Sequence, residues 1–200
     1  MSLNINALMI ILMSAVLVNN FVLIQFLGIC PFLGVSRQLK SAVGMSFAVI
    51  FVMMLATVVT WPVTNFLLLP NGLGFAQTIV FVLAIAALVQ LVEIVLKKAV
   101  PALYDVLGVF LPLMATNCAI LAVVLLNIND QLNFVEAMVN SFGAGLGFLL
   151  AMVLFAGIRA HIENADPPEC MKGLPIALFS AAILALAFFG FTGVAENLFG

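Results

Sequence analysis

The residues of this chain best suited to chemistry are two cysteines in apolar surroundings, Cys30 and Cys118. Cys30 lies in NNFVLIQFLGICPFLGVS, Asn19 to Ser36, two residues after Gly28 and immediately before Pro31. Cys118 lies far along the chain in LGVFLPLMATNCAILAVVLLN, downstream of Pro112 and beside Asn117. A thiol in such a place either fills space as a small hydrophobe or serves as a metal ligand. Each stretch also carries a proline, which removes a backbone N–H and interrupts a helix. Both cysteines therefore stand beside an expected break.

The elements that hold them belong in a bilayer. The chain is 66% hydrophobic and 7% charged, with a mean hydropathy of +1.36, whereas soluble domains are about 45–50% apolar and about 25% charged. A net charge of -2 with sparse charges offers no basic surface for nucleic acid. MSLNINALMI carries no positive residue ahead of its apolar run, so the first span is expected to be retained rather than cleaved as a signal. Three cysteines is an odd number, and a disulfide between apolar runs would have little to do. No serine–histidine–acid set, metal-hydrolase spacing or phosphate-binding loop appears, so hydrolysis is excluded.

A span needs about 20 apolar residues. Cutting the chain at its charged and turn-rich points predicts an all-α integral membrane protein, residues 1–200 forming a single domain of six spans. They run over roughly 7–35, 42–68, 77–96, 104–126, 136–158 and 174–194. All six basic residues (Arg37, Lys40, Lys97, Lys98, Arg159, Lys172) fall in the first, third and fifth connections. The positive-inside rule makes that side cytoplasmic and puts both termini outside. Asp130 and Glu136 on the other side contribute little to orientation.

Six spans divide into two inverted three-helix repeats, about 7–96 and about 104–194, each opening with a cysteine-bearing span. The first span is too long: about 29 residues would make a helix of about 44 Å. Gly28 and Pro31 predict a break there, with Cys30 itself disfavoured from helical geometry and facing a protein interior. In the second half Pro112 plays the similar part, and Asn117 satisfies freed backbone groups. Asn19 and Asn20 read the same way, and as ion ligands only second.

Other candidates have plain readings beside their functional ones. Glu93, the acid inside an apolar run, is either an ion or proton site or a carboxylate paired with Lys97 one turn on, near the membrane edge. Gly143, Gly145 and Gly147 of FGAGLGF lie in a span, where small residues let helices approach closely. His161, between Arg159 and Glu163, reads as a solvated loop side chain, and Cys170 as a loop thiol. A two-iron cluster usually takes four thiolates, so two cysteines would be half a site, and a cluster here would require two more from another chain.

VNNFVLIQFLGICPFLGVS, LGVFLPLMATNCAILAVVLLNIN and the FAGIR that ends the fifth span resemble the RnfA family, membrane subunits of Rnf electron-transport complexes, over essentially the whole chain. The wider family includes the small membrane subunits of the sodium-pumping NADH:quinone oxidoreductase, but the VNNFVL and CPF forms are closer to RnfA than to its counterpart there, NqrE. The resemblance implies a pseudo-symmetric pair with a homologous subunit of opposite topology, of the RnfE type. The pair holds a 2Fe-2S cluster near the membrane centre, two cysteines from each partner; here these are Cys30 and Cys118. It further implies a complex with subunits of the B, C, D and G types in a bacterial cytoplasmic (inner) membrane. Flavins are expected, by the same resemblance, only on those other subunits. In such complexes electrons pass between reduced ferredoxin and NAD, coupled to translocation of sodium ions or protons, and the resemblance implies the same here. This chain would be an electron relay and not catalytic by itself. A small-solute secondary transporter and a structural scaffold are the rival readings; the first lacks a charged substrate site and the second has no need of paired cysteines.

Overall fold

The computed structural model describes residues 5–18, 20–36, 38–68, 77–99, 114, 116–163 and 173–199, and all regular structure among them is helical. Helix α1 (Ile5–Met13) runs into a π-helical turn, Ser14–Val18. An irregular segment follows, then the short α2 (Ile29–Val35). Helix α3 (Leu39–Val63) ends in a second π-helical turn, Thr64–Leu68. Then come α4 (Gln77–Ala99), α5 (Cys118–Asn129), α6 (Phe134–Glu163) and α7 (Leu174–Phe199). Three stretches are long and apolar enough to cross a membrane, Leu39–Phe66, Gln77–Val95 and Phe134–Ile162; Cys118–Asn129 and Leu174–Gly190 are shorter apolar helices.

Helices α3, α4, α6 and α7 lie where the apolar runs predict them, with ends shifted by a few residues. Local chemistry accounts for some of these ends. Helix α6 starts at Phe134 because Glu136 accepts the backbone N–H of Asn133 at 3.0 Å, half of a capping box. Pro62 sits inside α3 and cannot donate to the preceding turn, and the helix passes into its π turn just beyond. Thr57, Thr60 and Thr64 return their hydroxyls to the carbonyls of Met53, Ala56 and Thr60 at 3.0, 2.6 and 2.8 Å, which satisfies polar groups inside an apolar helix.

The core is built on α3 and α6, which share the most extensive interface in the fold. Met45, Val49, Met53 and Ala56 of α3 are buried with Ala144, Phe148, Met152 and Phe155 of α6. Gly145 makes the close approach possible: a Cβ there would lie 2.6 Å from Ile50 Cγ1 and 3.2 Å from its Cα. Gly143 and Gly147 face the other neighbour. A Cβ at Gly143 would lie 3.0 Å from Ala15 Cβ, and one at Gly147 would lie 3.2 Å from the carbonyls of both Ala15 and Val16. The close-packing reading of FGAGLGF holds.

The expected break near Cys30 is present but lies earlier in the chain than Gly28 and Pro31 predict. Residues 20–28 are non-helical, whereas Cys30 and Pro31 are the second and third residues of α2. A proline in the first turn costs little, because the N–H it lacks has no intrahelical partner there. The unwinding is instead stabilised by Asn20, fully buried, whose Oδ1 accepts the N–H groups of Val22 and Leu23 at 3.1 and 3.3 Å. Its Nδ2 donates to Gly147 O at 2.9 Å, tying the break to α6. The reading of Asn20 as a partner for a broken helix is correct; Asn19 lies outside the described residues.

Candidate functional site

Gly28 ends the irregular segment with φ 80, in the left-handed region that glycine tolerates and other residues resist. It is buried against the second half of the chain. A Cβ at Gly28 would lie 3.1 Å from Asn117 Oδ1, 3.2 Å from Ala119 Cβ and 3.4 Å from Phe148 Cε2. Asn117 is the N-cap of α5, and its Oδ1 accepts the Ala119 N–H at 3.0 Å. That is the expected role for Asn117, carried out as a cap. The contact brings together the starts of two helices: Cys30 is the second residue of α2 and Cys118 the first of α5.

Both thiols are exposed in the isolated chain and form no disulfide with one another. The expectation that Cys30 faces a protein interior is thus incorrect for this chain alone. Helix α2 buries Pro31, Phe32 and Val35, which leaves Cys30 and Gly34, four residues apart, on the opposite face. Helix α5 buries Ala119, Ile120, Val123 and Val124 and leaves Cys118 outward. Two outward thiols thus stand on touching segments from distant parts of the chain. Among the described residues no group of three or more histidine, cysteine or acidic side chains could hold a metal alone.

Two features beside the thiols escape sequence reading. Phe26 has φ 57 and is 59% exposed, a left-handed conformation that is uncommon for a bulky residue. Asn117 Nδ2 is buried and finds no hydrogen-bond partner among the described residues.

Helix α6 fixes the far end of α2. Phe32 stacks on Phe155 with ring centroids 4.2 Å apart at 21°. Arg159 Nη1 donates to Leu33 O at 2.8 Å and to Ser36 Oγ at 2.9 Å, placing a cation on the C-terminal end of the short helix. The sequence reading treats Arg159 as a connection charge, but it lies within α6 and clamps the cysteine-bearing segment. His161 is likewise in the last turn of α6 and not in a loop; it is exposed, as expected. Glu93 is half-buried on α4, one turn before the exposed Lys97. Pro112 and Cys170 lie outside the described residues.

A second polar region occupies the opposite end of α3, at the α5–α6 turn. Asn127, 4% exposed, donates through Nδ2 to Ser141 Oγ at 3.0 Å and accepts Asn140 Nδ2 at 2.7 Å. Ser141 Oγ lies 2.7 Å from Thr57 Oγ1, so one hydrogen-bonded group joins α3, α5 and α6. Scattered single polar residues in apolar runs gave no sequence signal for it.

Fold and site together define a helical membrane protein that presents two thiols at adjoining helix starts, one of them just after an unwound segment. Residues 8–195 match the family described as Rnf-Nqr subunit, membrane protein. The chain is 56% identical over 187 residues to the A subunit of the Na+-translocating ferredoxin:NAD+ oxidoreductase complex of Acetobacterium woodii, covering 94% of this chain and 97% of that one. It is 51% identical to the A subunit of the ion-translocating oxidoreductase complex of Yersinia enterocolitica, and 50% identical to that of Yersinia pseudotuberculosis, each over 188 residues with the same coverage. The chain belongs to the Rnf-Nqr family of membrane subunits.

Proposed function

We propose that this chain is the RnfA-type subunit of an ion-translocating ferredoxin:NAD oxidoreductase complex and that Cys30 and Cys118 hold half of an intramembrane 2Fe-2S cluster. The near-full-length identity of 50–56% to the A subunits of such complexes supports the first part and favours it over the quinone-reductase counterpart. The observation that carries the second is the Gly28–Asn117 contact, which roots the two exposed thiols on touching segments.

The residues present fit such a centre. Two thiolates are half of the four that a two-iron cluster takes, and their exposure leaves room for a matching pair from a homologous subunit of opposite topology. Cys118 is the first residue of the twelve-residue α5, where the positive end of the helix dipole favours negative charge. When bound, the cluster supplies a one-electron relay. Around it, Asn117 holds the start of α5, Gly28 allows the second segment to close in, and Phe32 with Arg159 fixes α2 on α6. An added electron in so apolar a setting is costly unless a cation compensates it. Such compensation is the proposed link to movement of sodium ions or protons.

In this reading residues 1–200 form one six-span domain of two inverted halves, about 7–96 and about 104–194, in a bacterial cytoplasmic membrane with both termini outside. Flavins and the remaining redox centres belong to the other subunits. The test is iron and acid-labile sulfide content of the purified complex, with assembly checked on a native gel. Cys30→Ser and Cys118→Ser should each lose about two irons per complex, the content of one such cluster. Unchanged iron in both assembled variants would remove the cluster from this chain.

A further inference from the structure

A cleft of about 410 Å³ opens between the end of α3 and the α5–α6 turn, lined by Thr64, Asn65, Asn127, Gln131 and Asn133 beside Trp61. In a chain that is 66% hydrophobic, an opening edged by five uncharged polar side chains is out of character. Asn127 at its floor leads through Ser141 to Thr57, carrying polar groups from the opening into the space between three helices.

The electrostatics of this end favour a cation. Helix α5 points its C-terminus here, and Asp130, its C-cap, adds a carboxylate to the negative end of the dipole. The start of α6 is offset by Glu136, which accepts the Asn133 N–H. Lys40 and Arg159 lie at the other ends of α3 and α6, and no basic residue lies at this end among the described residues. The ligands on offer are hydroxyl and carboxamide oxygens, hard and neutral. They suit a monovalent alkali cation that must also leave, better than a divalent ion, which is commonly held by carboxylates.

Gln131 strengthens the case. Its N–H donates to Ile128 O at 3.0 Å and the Leu132 N–H donates to Asn127 O at 3.1 Å, the bonding of a Schellman turn, in which glycine is the usual left-handed residue. Here glutamine takes that position at φ 50 and lines the cleft. Glycine would fit the same backbone with less strain, so the turn does not need the glutamine side chain.

We propose that this cleft is the vestibule through which an alkali cation enters or leaves the translocation path at the end of the bundle remote from the basic residues, with Gln131, Asn65 and Asn127 oxygens as its ligands. The assignment rests on the ion-translocating reading above. Gln131→Gly is the decisive variant, because it keeps the turn and removes only the carboxamide; Gln131→Asn tolerates the same backbone and restores a carboxamide. The measurement is 22Na+ flux by the whole complex in right-side-out and inside-out vesicles, with electron transfer followed in parallel. Gln131→Gly should raise the half-saturating sodium concentration at least about threefold when sodium is presented on the cleft face and leave it unchanged on the opposite face, with partial recovery in Gln131→Asn. Equal half-saturation in parent and variant on both faces would overturn the vestibule alone. A parent complex that passes electrons and moves only protons, with no alkali-cation dependence, would overturn the choice of ligand. One that moves no ion would overturn the ion-translocating reading beneath it.

Discussion

Gly28 and Asn117 stand so close that a single added carbon at Gly28 would lie 3.1 Å from the Asn117 carboxamide oxygen. That oxygen already caps α5. One atom therefore serves two purposes: it starts the helix that carries Cys118 and bounds the space into which the segment carrying Cys30 must fit. The relative position of the two thiols depends on a glycine that has no side chain and a left-handed φ of 80.

Gly28→Ala should accordingly destabilise the purified complex by about 1–2 kcal/mol from the left-handed backbone alone, and by more from the contact with Asn117. A double-mutant cycle with Asn117→Ala separates the two contributions. Thermal unfolding should show a coupling of at least about 0.5 kcal/mol, as expected for residues in contact. Strict additivity would mean that the two segments do not press on one another.

Gly145→Ala tests the α3–α6 crossing, since its new carbon would lie 2.6 Å from Ile50 Cγ1. Overpacking of this kind costs about 1–3 kcal/mol. Adding Ile50→Ala should recover part of the loss, although Ile50 Cα at 3.2 Å remains tight. Gly157, with open space around it, is the control: alanine there should be tolerated.

Arg159→Gln should loosen α2 without unfolding the bundle, because the guanidinium bonds to Leu33 O and Ser36 Oγ hold the far end of that helix. Hydrogen bonds to a charged group contribute about 1.5–3 kcal/mol, so backbone amide exchange over 29–36 should rise by about tenfold or more. Exchange in α4 should not change. Equal protection of α2 in parent and variant would contradict the clamp.

The positions of α3, α4, α6 and α7 were legible because charge and turn residues bound each apolar run. The break in the first span was legible as a break, from Gly28 and excess length, yet misplaced toward Pro31. A proline in the first turn of a helix is quiet, while the feature that stabilises the unwinding is a bond from Asn20 to Gly147, 127 residues away. The sequence places Arg159 among the charges of the fifth connection, whereas the segment it clamps lies 126 residues earlier. The cysteines were found by type and setting, but their outward orientation follows from which faces of α2 and α5 are buried. Helical periodicity could not reveal those faces where the flanking residues are apolar on every side.

The most direct test of the central claim is electron paramagnetic resonance of the reduced, intact complex, comparing the parent with Cys118→Ser after both are shown to assemble. The parent should show a two-iron signal that the variant lacks, with the signals of the other subunits' centres unchanged. The same two-iron signal in both would contradict a cluster held by Cys30 and Cys118 and would return both thiols to packing.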